Sequence, residues 1–189
     1  MARTHQIIKN KTFGDEVEFL VTSEDSNGEL LRAELLVKPG GAGPPLHYHP
    51  IQSESFNIIK GEMNLIHNGK EMILKAGERY MVPPNTPHKF WNGSNSDAVA
   101  IVELKPALKT EFFLETLYAL NEQGKTNKEG LPNLLQFSAI LNETYGEFFV
   151  VGPPIFAQKF IAKVVGWFAK IIGYKGYIPF PTKLMELSL

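Results

Sequence analysis

The sequence predicts a mainly β fold, an antiparallel sandwich or barrel, followed by an α-helical extension. Three observations predict it. Residues 15–104 break into short apolar runs separated by clusters of Gly, Pro, Asn, Asp and Ser, the spacing of an all-β domain. His47 and His49 stand at i and i+2, and side chains two apart share one side only on an extended strand. After Lys105-Pro106 the turn-dense spacing ends and apolar residues recur at helical intervals. This divides the chain into a β domain, 1–105, and a helical extension, 106–189.

The elements follow in order. Runs 17–21 and 30–37 flank the polar stretch SEDSNGE and read as two antiparallel strands. A loop of glycines and prolines, 39–45, leads into the histidine strand. Short strands are then expected at 56–60, 63–67 and 70–74, the last two joined by Asn68-Gly69, a type I′ hairpin signal. Three more follow at 79–82, 88–92 and 98–104, divided by Pro83-Pro84-Asn85 and by GSNSD. In the extension, helices are expected over 109–123, stopped by Gly124, over 132–143, and from Pro153-Pro154 to about 172.

Composition narrows the chemistry. A chain of 189 residues with 43% hydrophobic content is large enough to bury a core. With no cysteine, thiolate metal sites, disulfides and cysteine nucleophiles are excluded. The net charge is −1 with no basic stripe, which argues against a nucleic-acid partner. The first sixteen residues lack an apolar signal core, so a cytoplasmic location is expected.

His47 and His49 offer two imidazoles to one side, and Glu54, after the Pro50 break, adds a carboxylate. Imidazole and carboxylate together suit a divalent transition metal. A further histidine, His88, shares a strand face with Phe90 behind a proline-rich turn, and Phe56 has the parity of Glu54. Both phenylalanines are candidates to line a cavity or fill the interior. Trp91, on the opposite face, is expected to pack between barrel and extension. His5 and His67 read as ordinary polar residues, and Arg79 and Glu62 as solvated charges.

The two histidine segments resemble the cupin superfamily. Gly41, His47, His49, Glu54 and Gly61 match its first motif, and Gly77, Pro83, His88 and Asn92 match its second. Asn85 replaces the last glycine of the second motif, and Asn is the non-glycine residue most tolerant of positive φ. The resemblance covers about 20–104. It implies a jelly-roll barrel in which His47, His49, Glu54 and His88 hold one divalent metal, Fe, Mn, Ni or Zn. It also implies a small organic substrate and a metal-dependent oxidoreductase of dioxygenase type. The alternatives are a small-molecule-binding or sensing barrel without catalysis, and a metal-dependent isomerase or decarboxylase. Single cupin barrels often pair through sheet faces, so a homodimer is expected. The extension lies outside the match, although similar tails occur in bacterial cupin-domain proteins.

The third helix of the extension is apolar over most of its circumference, with Lys159, Lys163 and Lys170 on one narrow stripe. Its large side chains are expected to pack on the barrel or on a dimer mate, the lysines facing water. A second, less favoured reading lays 153–183, with five lysines and no acidic residue, on a membrane surface.

Overall fold

A computed structural model describes residues 2–181; Lys183 and the rest of 182–189 lie outside the described residues. The β domain comprises β1 (Ile7–Asn10), β2 (Asp15–Val21), β3 (Leu31–Val37), β4 (His47–Tyr48), β5 (Ser53–Lys60), β6 (Glu62–His67), β7 (Lys70–Lys75), β8 (Arg79–Val82), β9 (His88–Trp91) and β10 (Ala98–Lys105). The extension adds α1 (Thr110–Glu122), α2 (Leu134–Glu143), β11 (Phe149–Val150), α3 (Ile155–Phe160), a π-helical segment (Ile161–Val165) and α4 (Gly166–Ile171). The strands form a six-stranded sheet, β1-β2-β3-β10-β5-β8, and a five-stranded sheet, β11-β4-β9-β6-β7. The strand pairs are antiparallel. The mainly β class with a helical extension is therefore the observed one.

Strict alternation produces the core between the sheets. Leu31, Ala33, Leu35 and Val37 of β3 and Ala98, Ala100, Val102 and Leu104 of β10 are buried while their neighbours are not. The same parity on β2 turns Val17 and Phe19 inward, and with them Asp15. Asn68 and Gly69 take φ of +48° and +77°, the two positive values that a type I′ hairpin requires, and join β6 to β7. Gly61 has φ +71°, and a Cβ there would collide with the Asp97 carbonyl. Asn85 takes φ +62°, so the turn before His88 survives the glycine replacement.

Two strands were not expected from the sequence. β1 extends the large sheet beside β2, and β11, from the extension, pairs with the histidine strand through Phe149↔Tyr48 and Val150↔His47. The extension meets the barrel through β11 on β4 and through α1 on β1. Trp91, expected at that junction, is half-buried and has the Lys89 ammonium 5.9 Å from its ring centroid. Gln52 ties the start of the extension down, donating from Nε2 to the carbonyls of Pro106 at 2.8 Å and Ala107 at 3.1 Å.

Within the chain the third helix packs on α2 rather than on the barrel. It is interrupted by the π-helical segment and lies on α2 through small residues, Ala162, Gly166 and Ala169. A Cβ on Gly166 would run into the Ser138 carbonyl and Asn142, so glycine is what permits this close approach. The approach is fastened by Asn142 Nδ2, which donates to the Ala162 carbonyl at 3.0 Å. Packing by the small face turns the large one outward: Phe156 is 77% and Trp167 62% exposed, and Phe160, Val164, Phe168 and Ile171 are exposed beside them. Within the chain the barrel does not cover these side chains. Among the described residues, no helix is long and apolar enough to cross a membrane.

Candidate metal centre

Four residues converge from three strands and the loop between β4 and β5. His47 opens β4, His49 follows it, Glu54 lies on β5 and His88 opens β9 directly opposite His47 in the ladder. One ligand atom from each lies within 4.8 Å of the others. His88 Nε2 is 2.8 Å and His49 Nε2 3.6 Å from the same Glu54 oxygen, Oε2. All four side chains are buried.

The hydrogen bonds behind the rings fix their chemistry. Nδ1 of His47 donates to the Pro45 carbonyl at 2.9 Å, Nδ1 of His88 to the Thr86 carbonyl at 2.9 Å, and Nδ1 of His49 to the Glu147 carbonyl at 3.3 Å. Each ring therefore holds its proton on Nδ1 and turns Nε2 toward the shared centre, the arrangement that metal-ligating histidines adopt. One of the three orienting carbonyls, that of Glu147, belongs to the extension.

Burial, together with the neighbouring His88 and His49, lowers the pKa of His47 to about 3, so this ring stays neutral. Burial alone would raise Glu54, but its contacts with His49 and His88 outweigh that and hold it well below the usual carboxylate range. Burial disfavours a charged His88, yet the Glu54 carboxylate raises its pKa on balance. The proton shared by His88 and Glu54 is the one that a bound cation would displace. An anionic carboxylate beside three ε-facing imidazoles, with no thiolate, fits a divalent transition metal.

The cluster opens into a cavity of about 420 Å³ with walls that are almost wholly apolar. Val17, Leu31, Ala33, Leu35, Val102 and Leu104 form one wall, and Phe113, Leu114, Leu117 and Phe137 of α1 and α2 form the other. The helical extension is thus part of the cavity itself. Phe90 lines it, whereas Phe56 is fully buried, its ring 5.4 Å from that of Phe90. Arg79 extends to the Glu103 carboxylate at 3.3 Å, and His5 to Glu18 at 2.8 Å. His67 pairs with His88 across the β6–β9 ladder and is hydrogen-bonded through Nδ1 to the Tyr80 hydroxyl at 2.7 Å, outside the four-residue cluster.

Sequence reasoning missed Asp15 and Glu147. Asp15 lines the cavity and accepts a 2.8 Å hydrogen bond from the Tyr118 hydroxyl, and burial raises its pKa from the ordinary 3.8 to about 7. Its signal was present, a carboxylate on the inward parity of Val17 and Phe19. Glu147 also lines the cavity and is pushed up by burial, and nothing local in its sequence marks it.

A family model described as a cupin domain matches residues 33–103, the stretch that holds all four clustered residues. The chain carries a cupin domain. The chain is 43% identical over 58 residues to a probable oxidoreductase, virH, of Hypocrea virens, covering 30% of this chain and 26% of that protein. Similarity to the quercetin 2,3-dioxygenase of Bacillus subtilis is 30% identity over 78 residues, 41% of this chain and 23% of the relative. The oxidoreductase iacF of Pestalotiopsis fici is 28% identical over 114 residues, 57% of this chain and 56% of the relative. The chain thus spans between a quarter and somewhat over half the length of these curated relatives.

Proposed function

We propose that this cupin is a metal-dependent oxidoreductase, dioxygenase-like, acting on a small, largely apolar organic molecule in the barrel. The observation that carries the proposal is the convergence of three ε-facing imidazoles and one carboxylate at the wall of an apolar cavity. The names of the three relatives, two oxidoreductases and a dioxygenase, point the same way. His47, His49, Glu54 and His88 would hold one divalent metal; when bound, a redox-active metal supplies the electron exchange with dioxygen that such substrates need.

The chain's own residues supply the rest. Backbone carbonyls 45, 86 and 147 lock the ring orientations, and the leucine and phenylalanine walls exclude water, which strengthens every charge interaction inside. Glu147, whose carboxyl is raised by burial and whose backbone carbonyl holds His49, is the carboxyl group placed to take up or return a substrate proton. Enol-type and catechol-like compounds are the substrate class to assay. Oxygen consumption with such compounds, abolished by chelation and restored by a single divalent metal, is the expected result. Saturable binding without turnover, unchanged by any metal, would replace the enzyme with a binding protein.

The homodimer belongs to the same proposal. The side chains of Phe156, Phe160, Val164, Trp167, Phe168, Ile171 and Ile172 are exposed together on one helix face, each by about half or more. A contiguous run of large apolar and aromatic side chains with a polar flank is what a protein–protein interface covers. Lys159 and Lys163 at its flank supply a polar rim. A second copy of this chain is therefore the proposed occupant. Sedimentation at micromolar concentration is expected to give a dimer that Trp167→Glu converts to monomer. A wild-type monomer that binds anionic vesicles would assign the face to a membrane surface instead.

A further inference from the structure

Asp15 stands apart from the metal cluster in the same cavity. In the large sheet Asp15 pairs with Val37, and Val37 with Ala98, at the start of β10; Glu54 pairs with Leu104 near its end. The two carboxylates thus lie toward opposite ends of the strand ladder, with the apolar wall between them. Asp15 is only 7% exposed. Its Oδ2 accepts from Tyr118, but its Oδ1 has no hydrogen-bond partner. A buried carboxylate oxygen without a donor is costly, because desolvation is not repaid. Such a group calls for a partner that the fold itself does not supply, a water or a ligand.

We infer that Asp15, oriented by Tyr118, is a recognition site for a hydrogen-bond-donating substituent, a hydroxyl or protonated amine, on an otherwise apolar ligand. The inference rests on the proposal that this cavity holds the substrate, but not on the identity of the metal. It gives the ligand a class: an elongated, mainly apolar body whose one end meets the histidine cluster and whose other end carries a donor. It also gives α1 a part in selection, since Tyr118 comes from the extension. The near-neutral pKa of Asp15 leaves the ionised, accepting form within reach at pH 8, and a donor on the ligand would draw it further that way.

A matched pair of probes tests this, 4-hydroxybiphenyl and 4-methylbiphenyl, alike in size and differing in one donor. Titration calorimetry on the full chain at pH 8 is expected to show the hydroxyl compound binding roughly tenfold tighter, the worth of one hydrogen bond to a buried charge. Asp15→Leu should erase that preference while still binding the methyl compound. Equal affinities in the wild-type chain, or a preference that persists in Asp15→Leu, would overturn the inference. Equal affinities in the wild-type chain overturn the inference even if the variant fails to fold. Metal content is read separately: a preference kept by protein that takes up no divalent metal supports the Asp15 site while the missing metal counts against the metal centre, and a missing preference in metal-loaded protein overturns the Asp15 site alone.

Discussion

His47→Ala protein, expressed beside the wild type, is expected to retain a small fraction of its metal, with affinity lower by at least about a hundredfold. Loss of an outer hydrogen bond to a ligand already costs about 10–100-fold, and a direct ligand contributes more. His47 is the informative position because the Glu54 oxygen contacts His88 and His49 rather than His47. Its removal withdraws a ligand while leaving the buried charge pair intact, and breaking that pair would itself cost about 3–5 kcal/mol. His47 also borders the cavity, so truncation enlarges an existing space instead of opening one in packed core. The metal-free variant should unfold within about 1–2 kcal/mol of metal-free wild type, a few degrees in Tm. Equal metal content in both proteins would remove His47 from the site.

Asp15→Asn is expected to stabilise the protein at alkaline pH at the expense of ligand selection. With a folded-state pKa raised from 3.8 to about 7, Asp15 binds its proton more tightly folded than unfolded. Its favourable contribution is therefore complete below about pH 4 and is lost as pH rises through 7. The full interval corresponds to on the order of 4 kcal/mol. The asparagine amide keeps an oxygen for the Tyr118 hydroxyl and has no charge to desolvate. The gain of the variant over wild type should be small near pH 4 and grow to about 2–4 kcal/mol by pH 8.5, roughly 5–15 °C in Tm. Denaturation curves that run parallel across this range would show that Asp15 is not held in its neutral form by the fold.

Much of the fold was legible because it follows from alternation. β3, β5, β9 and β10 announce their inward faces residue by residue, and the i, i+2 histidines could belong only to a strand. Glu54 shares its parity with Phe56 and Ile58, which is why a carboxylate enters the barrel at that point. What was not legible depends on partners distant in sequence. β11 is two residues long and exists by pairing with β4 some hundred positions earlier, and the Glu147 carbonyl reaches His49 through the same junction. Asp15 was overlooked because the strand was started at Val17, although the alternation runs through it. The contact that the third helix makes with α2 was not legible because it runs through small residues. There the glycine and alanine face won, since Gly166 lets two helix backbones approach more closely than leucine or phenylalanine would.

Elemental analysis of protein purified without chelator or metal affinity resin, followed by anomalous scattering at the absorption edge of the metal found, tests the central claim most directly. The expected result is close to one divalent metal per chain. A single anomalous peak should lie about 2.0–2.2 Å from Nε2 of His47, His49 and His88 and from a Glu54 oxygen. A protein that remains metal-free after exposure to iron, manganese, nickel and zinc, or a peak that none of these four side chains reaches, would contradict it.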